Sequence, residues 1–300
     1  MAFRTLEITK PSELHVREGQ LTIEQEERIV KVPLEDIHNI ICIGANIRIS
    51  TMALSKLTER EITVLMLDEK YRASGIVIPV EANARQAEIM CKQIEFDDLY
   101  KAEIWHEIIQ TKILNQSRAL SILGLKGADE VMKIALEMEL NDEDCAEAYA
   151  AKIYFQYLHP GLNRRVEEPL NSHMNYGYAV LRNTIIRELI ATGLQPALGL
   201  HHCNQFNAFN LADDLIEPWR PMIDLIAYHN VDSNIILTKK QRFALAHVVH
   251  NACRMNDKRM NVLSGIESMV DSYRKTVIEK ENHLVLPTIM PIESMELLNE

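Results

Sequence analysis

Near residues 80–84 the hydrophobic pattern of this chain switches from a two-residue to a 3.6-residue repeat, and the two halves therefore need different layers. Before the switch, Arg28-Ile29-Val30-Lys31-Val32 alternates polar and apolar as a half-buried strand does. Short β-type runs fall at 6–9, 14–17 and 21–23, with Glu18-Gly19-Gln20 as a hairpin tip, and more follow at 40–43, 47–50, 62–67 and 76–78. One helix is expected at 51–59, capped by Ser50 or Thr51. After the switch, apolar residues recur three, four and seven apart, as in Ala84-Ala87-Ile94 and Ile104-Ile108-Ile113-Leu114. Helices are expected at 129–139, 142–158, 172–191, 207–216, 239–253 and 258–280. The expected fold class is α+β: an N-terminal β domain over 1–82, a larger all-helical domain over 83–286, and a loose tail over 287–300.

Composition narrows the function classes. The 300 residues carry 32 Lys and Arg against 43 Asp and Glu, a formal charge of −11, with 47% hydrophobic residues. Wholesale disorder and a basic nucleic-acid-coating tail are excluded, and any polynucleotide must bind a local basic patch on an otherwise repelling body. Five scattered cysteines without a C-x-x-C pair disfavour disulfides and zinc knuckles. No leader-like start and no apolar run of membrane-spanning length is present, so a cytoplasmic location and no membrane partner are expected.

Two segments gather acids and imidazoles. Asn141 or Asp142 caps the helix expected at 142–158, and Glu143 and Asp144 oppose its dipole. Glu147 lies deeper, with Ala150, Ala151 and Tyr154 at plus three, four and seven. It either sits in solvent at the edge of that apolar stripe or faces inward and needs a partner. Further on, Gly193 suits a helix C-cap, and the loop after it presents His201 and His202, whose side chains point apart in extended backbone. Asp213, Asp214 and Glu217 follow within one helical turn, and Pro218 puts them at a helix end or kink. Such crowding is either a solvated face with Arg220 as counter-ion or a site for a divalent cation. Oxygen ligands with one imidazole suit Mn²⁺ or Mg²⁺.

Three ordered motifs carry a resemblance. Glu147-Ala148-x-Ala150-Ala151-x-x-Tyr154-Phe155, then Gly193-Leu194-x-Pro196-x-x-Gly199-x-x-His202, then Asn207-x-x-Asn210-Leu211-Ala212-x-Asp214-Leu215-x-Glu217-Pro218-x-Arg220-Pro221 together resemble the CRISPR-associated integrase family. That family is the first of the Cas proteins, the catalytic subunit of the spacer-acquisition complex. The resemblance covers essentially the whole chain, and Asn115-Gln116-Ser117 and Gln205-Phe206-Asn207 are most similar to the version accompanying type II systems.

The resemblance implies that Glu147, His202 and Glu217 are catalytic and hold Mn²⁺ or Mg²⁺, with Asp214 as an auxiliary acid. Asp213 maps less securely, and His201 is a spectator. It implies insertion of captured DNA into a CRISPR array by 3′-hydroxyl transesterification, with endonuclease activity when water attacks. It further implies a homodimer through the β domain, joined to a small ferredoxin-like second Cas protein in a heterohexamer that binds prespacer and repeat DNA. In type II systems the effector nuclease is a further participant. The basic candidates for DNA contact are Arg164 and Arg165; Arg182 and Arg187; Lys239, Lys240 and Arg242; and Arg254, Lys258 and Arg259, each of which suits a solvated helix face equally well. Two other readings are a non-catalytic DNA-binding scaffold of the same fold and an unrelated helical metallohydrolase for small phosphoesters.

Overall fold

The computed structural model describes residues 4–26, 28–44, 46–80, 82–140 and 145–292, and the chain divides into two units, 1–84 and 85–300. In the first unit the alternating segments form β1 (Arg4–Ile8), β2 (Ser12–Arg17), β3 (Gln20–Gln25), β4 (Arg28–Pro33), β5 (Ile37–Ile43) and β6 (Ile47–Ile49). Helix α1 (Thr51–Thr58) follows, then β7 (Thr63–Leu67) and β8 (Ala73–Val77). Glu18 (φ 49°) and Gly19 (φ 73°) make the two-residue loop between β2 and β3, the geometry whose twist matches a hairpin. One sheet runs β4-β3-β2-β6 and the other β1-β5-β7-β8, with β1, β5 and β7 parallel. β5 is buried along nearly its whole length, which explains the continuous apolar run of its second half, Ile40–Ile43. Leu14, Leu21, Ile37, Ile40, Leu57 and Val64 form the core of this unit.

The second unit is built on helices: α2 (Gln86–Ile94), α3 (Asp98–Ile122), α4 (Ala128–Glu137), α5 (Ala146–Leu158), α6 (Pro169–Ala191), α7 (Asn210–Leu215), α8 (Arg220–Asn230), α9 (Lys239–Ala246) and α10 (Val262–Glu279). The expected cap at Asn141 or Asp142 and the acids Glu143 and Asp144 lie outside the described residues. α3 is the spine. Asp97 caps it, Ile104, Ile108, Ile109, Ile113 and Leu120 bury one stripe, and it packs on α4, α5, α8 and the 3₁₀ turn Glu217–Trp219.

The helical unit is not all helix. Residues 239–253 and 258–280, each expected as one helix, are interrupted by β9 (Ala252–Met255) and β10 (Lys258–Asn261). Their loop residues Asn256 (φ 45°) and Asp257 (φ 62°) take left-handed backbone, and four-residue strands are too short for alternation to stand out from a helical pattern. The tail expected to be loose from 287 instead contributes β11 (Pro287–Ile289), which covers the other edge of β9. Pro287 stands first in the strand, where a missing N–H is tolerated. No helix among the described residues is long and apolar enough to cross a membrane, and all five cysteines are free.

α6 and α8 touch at Gly177, where a Cβ would lie 2.5 Å from Ile223 Cγ2. Ile223 is fully buried and, being β-branched, has few rotamers to yield into. Gly177→Ala is expected to destabilise the protein by about 1–3 kcal/mol, read as a lowered midpoint in thermal or urea unfolding, because overpacking here outweighs the helix propensity gained.

Candidate active site

Four segments deliver the charged groups. α6 ends in a Schellman motif: Gly193 (φ 83°) donates to Ile190 O and Leu194 to Leu189 O at 2.8 Å. The chain then folds tightly over Gly199, where a Cβ would collide with the His202 carbonyl, Asn210 and Asp214. Fully buried Asp214 on α7 organises this loop. Its Oδ2 accepts the N–H of Leu200 (2.6 Å) and His201 (3.2 Å), and its Oδ1 accepts the N–H of His202 (3.1 Å). The same Oδ1 lies 2.6 Å from His202 Nδ1. A carboxylate only accepts, so Nδ1 carries the proton and Nε2 presents its lone pair. The Asp214 hydrogen bond raises the His202 pKa above the ordinary imidazole value, against partial desolvation.

Glu147, in the first turn of α5, and Glu217, opening the 3₁₀ turn, meet at one ammonium. Lys112 Nζ on α3 lies 2.5 Å from Glu147 Oε1 and 2.7 Å from Glu217 Oε2. Arg220 Nη2 reaches Glu217 Oε1 at 3.0 Å. Glu217 is only 5% exposed; burial alone would raise its pKa, but Lys112 and Arg220 outweigh that and hold it below the ordinary glutamate range. Burial likewise opposes the charged form of Lys112, and Glu217 and Glu147 reverse the effect. His202 lies within electrostatic reach of Glu217. Two anchors fix the Glu217 turn: Asn115 donates to Pro218 O (2.8 Å) and Pro287 O (2.9 Å), and Trp219 is fully buried with its Nε1 donating to Met269 Sδ.

The neighbouring candidates take other places. His201 stacks flat on Trp105, with centroids 4.4 Å apart. Asp213 pairs with Arg182 at 2.5 Å and accepts from Asn207, so its pKa stays below the ordinary range despite burial. Beneath the site, buried Asp224 accepts from Tyr154 (3.0 Å) and Tyr178, and burial still pushes its carboxyl up to about 6. Among the described residues, the groups of three or more His, Cys, Asp and Glu whose ligand atoms all lie within 4.8 Å of one another are Glu13, His15 and Glu24, and Glu279, Glu281 and His283, none of them buried. Glu147, His202 and Glu217 form no such group; the Lys112 ammonium contacts both carboxylates.

Lys112 is the charged residue of this site that sequence reasoning missed. It falls four residues after Ile108 and three after Ile109, squarely on the buried stripe of α3, and a cation there needs partners. Together with Asn115 and Gln116 it makes a buried polar patch, a signal available from the spacing alone.

A strand-rich unit is thus followed by a helical one in which two acids meet a lysine on a helical spine. The family described as "CRISPR associated protein Cas1" matches residues 6–265. The CRISPR-associated endonuclease Cas1 of Neisseria meningitidis serogroup C (strain 8013) is 34% identical over 302 residues, covering 99% of each chain. Among solved structures, a casposase bound to integration product superposes with a TM-score of 0.77 at 16% identity, covering 98% of this chain and 95% of that one. A chain of a Cas6-RT-Cas1–Cas2 complex gives 0.76 at 16% identity, covering 96% and 36%. The chain belongs to the Cas1 family.

The His202–Asp214 contact gives a signed pH dependence. Because the folded imidazole pKa is raised, the contact contributes its full stability below the unfolded value of 6.5 and loses it as pH rises through the higher folded value. In Asp214→Asn the His202 titration, followed by NMR, is expected to move back toward 6.5 and that slope of stability to flatten.

Proposed function

We propose that this protein is a divalent-metal-dependent DNA integrase and endonuclease that joins captured DNA fragments to a CRISPR array. The observation that carries the reading is the convergence of Glu147 and Glu217 on one buried cation, with His202 within electrostatic reach of Glu217. The fit to a metal rests on Glu217 Oε2. It is buried without a hydrogen-bond partner, its 2.7 Å contact with Lys112 lying off the hydrogen-bonding direction. Carboxylate oxygens and one imidazole form a hard donor set that suits Mn²⁺ or Mg²⁺. Glu147, His202 and Glu217 would hold the ion, which supplies charge neutralisation at the phosphate and activation of the attacking hydroxyl or water.

The remaining work falls to the chain's own side chains. Asp214 fixes the His202 tautomer, so that the neutral ring carries its proton on Nδ1 and leaves Nε2 as the acceptor. Lys112 and Arg220 outweigh the burial that by itself would raise the Glu217 pKa, and so favour its ionised form. The casposase bound to its integration product and the Neisseria relative's endonuclease name support strand transfer and hydrolysis as two outcomes of one site. The Cas1–Cas2 complex supports a second, small Cas protein as partner. A homodimer through the β domain and a role beside a type II effector nuclease complete the proposal.

The purified chain with that small partner should join a prespacer to a repeat-bearing plasmid in Mn²⁺ or Mg²⁺. Folded Glu147→Ala and His202→Ala variants should lose more than the roughly 10–100-fold that an outer-shell partner costs. Joining at the native rate by either variant would remove the assigned active site, whereas salt-sensitive DNA binding with no joining under any metal would leave a non-catalytic scaffold as the better account.

DNA binding by a body of −11 charge needs basic groups presented together at the surface. Arg164 is engaged with Asn171, Met174 and the Phe155 and Tyr178 rings, Arg242 with Leu237 O, Arg182 with Asp213, and Arg187 with Glu188. Arg165, Lys239 and Lys240 are exposed. The strongest candidates sit on the β9–β10 hairpin, where Arg254 and Arg259 stand directly opposite each other and Lys258 is exposed beside them. Arg118 lines the same groove as Arg254. The double variant Arg254→Glu, Arg259→Glu should bind duplex DNA more weakly. The slope of its log Kd against log salt should fall by about 0.9 for each phosphate that is no longer neutralised; an unchanged slope would place the DNA elsewhere.

A further inference from the structure

An ammonium wedged between two carboxylates occupies the electrostatic position a divalent cation would seek. Lys112 is 10% exposed at its side chain, and α3 fixes its stem among the buried Ile108, Ile109 and Ile113. Its charge therefore belongs to the site whether or not a metal is bound. Beside it stand two acids, Glu147 and Glu217, and one further base, Arg220. Asp213 is matched separately by Arg182, and Asp214 is held by His202 and the N–H groups of its loop. The two acids and two bases balance, so a divalent ion would leave the loaded site with its full positive charge toward a phosphodiester. Without Lys112 the carboxylates would attract the ion more strongly, and the loaded site would offer one positive charge fewer to an arriving phosphate.

Resting on the metal-dependent reading above, we propose that Lys112 is a resident counter-cation that sets the charge of the metal-loaded site. It weakens divalent binding at Glu147 and Glu217 and strengthens the hold on the scissile phosphodiester. Its removal then has two consequences of opposite sign. A lysine that merely supported the two helices would, on removal, loosen both carboxylates and weaken metal and DNA alike.

The test uses the full chain and Mn²⁺ itself as probe, with affinity measured by calorimetry or by the EPR signal of free Mn²⁺. Duplex DNA affinity is measured by fluorescence anisotropy at saturating Mn²⁺. Lys112→Gln is expected to bind Mn²⁺ about tenfold more tightly and DNA several-fold to about tenfold more weakly, whereas Lys112→Arg, which keeps the charge, stays near the native protein in both. Equal or weaker Mn²⁺ binding by Lys112→Gln, or unchanged DNA affinity, overturns the proposal. If Lys112→Gln is too unstable to purify without metal, its melting temperature is followed across a Mn²⁺ series. A rise larger than the native one supports the proposal, and an equal or smaller rise overturns it. Glu147→Gln separates the two ideas. Unaltered Mn²⁺ affinity there removes the metal reading and this inference with it, while weakened binding there without tightening in Lys112→Gln removes only the role of Lys112.

Discussion

Glu217 is an almost wholly buried carboxylate, and a charge in that position survives only where cations stand against it. Lys112 on one side and Arg220 on the other supply them, and the surrounding structure is arranged to keep that geometry. Asn115, one turn along α3 from Lys112, holds the carbonyl of Pro218, while Trp219 plugs the core beneath the same turn. The helix that carries the lysine thus also grips the backbone that carries the glutamate. Glu147 completes the arrangement from α5, whose Tyr154 is tied through Asp224 to Tyr178 on α6.

Asp214 serves a different purpose from the acids beside it. Three backbone N–H groups and one imidazole converge on its two oxygens, so its negative charge is spent in shaping the loop that carries His202. This explains why Gly199 has to lack a side chain and why His201 can lie flat on Trp105. Two adjacent histidines receive distinct positions because one of them is captured by a buried carboxylate. Of the three acids within one helical turn, one orients, one pairs with Arg182, and one faces the candidate metal position.

The acidic surface and the proposed DNA partner are reconciled locally rather than by net charge. The sheet β10-β9-β11 collects Arg254, Lys258 and Arg259, and Asn115 ties β11 to the Glu217 turn through Pro287 and Ile289. A basic surface and the Glu217 turn that share one buried side chain as anchor keep a fixed spacing, as the proposed strand transfer would require.

Periodicity in the chain determined the division into a strand-rich and a helical part. Propensity and Gly or Pro placement determined the hairpin at Glu18-Gly19, the C-cap at Gly193 and the break at Pro218, because each depends on a few neighbouring residues whose backbone sterics act wherever they occur. The family motifs singled out Glu147, His202 and Glu217. The short strands β9 to β11 were hidden, because β11 pairs across more than thirty residues with a partner that no local pattern announces. Lys112 was hidden for the same reason: a lysine on an apolar stripe is anomalous in sequence, but its partners lie 35 and 105 residues further along. Only the packing of α3 against α5 and the Glu217 turn decided which acids the lysine meets and which histidine Asp214 captures, since desolvation and charge pairing act through space.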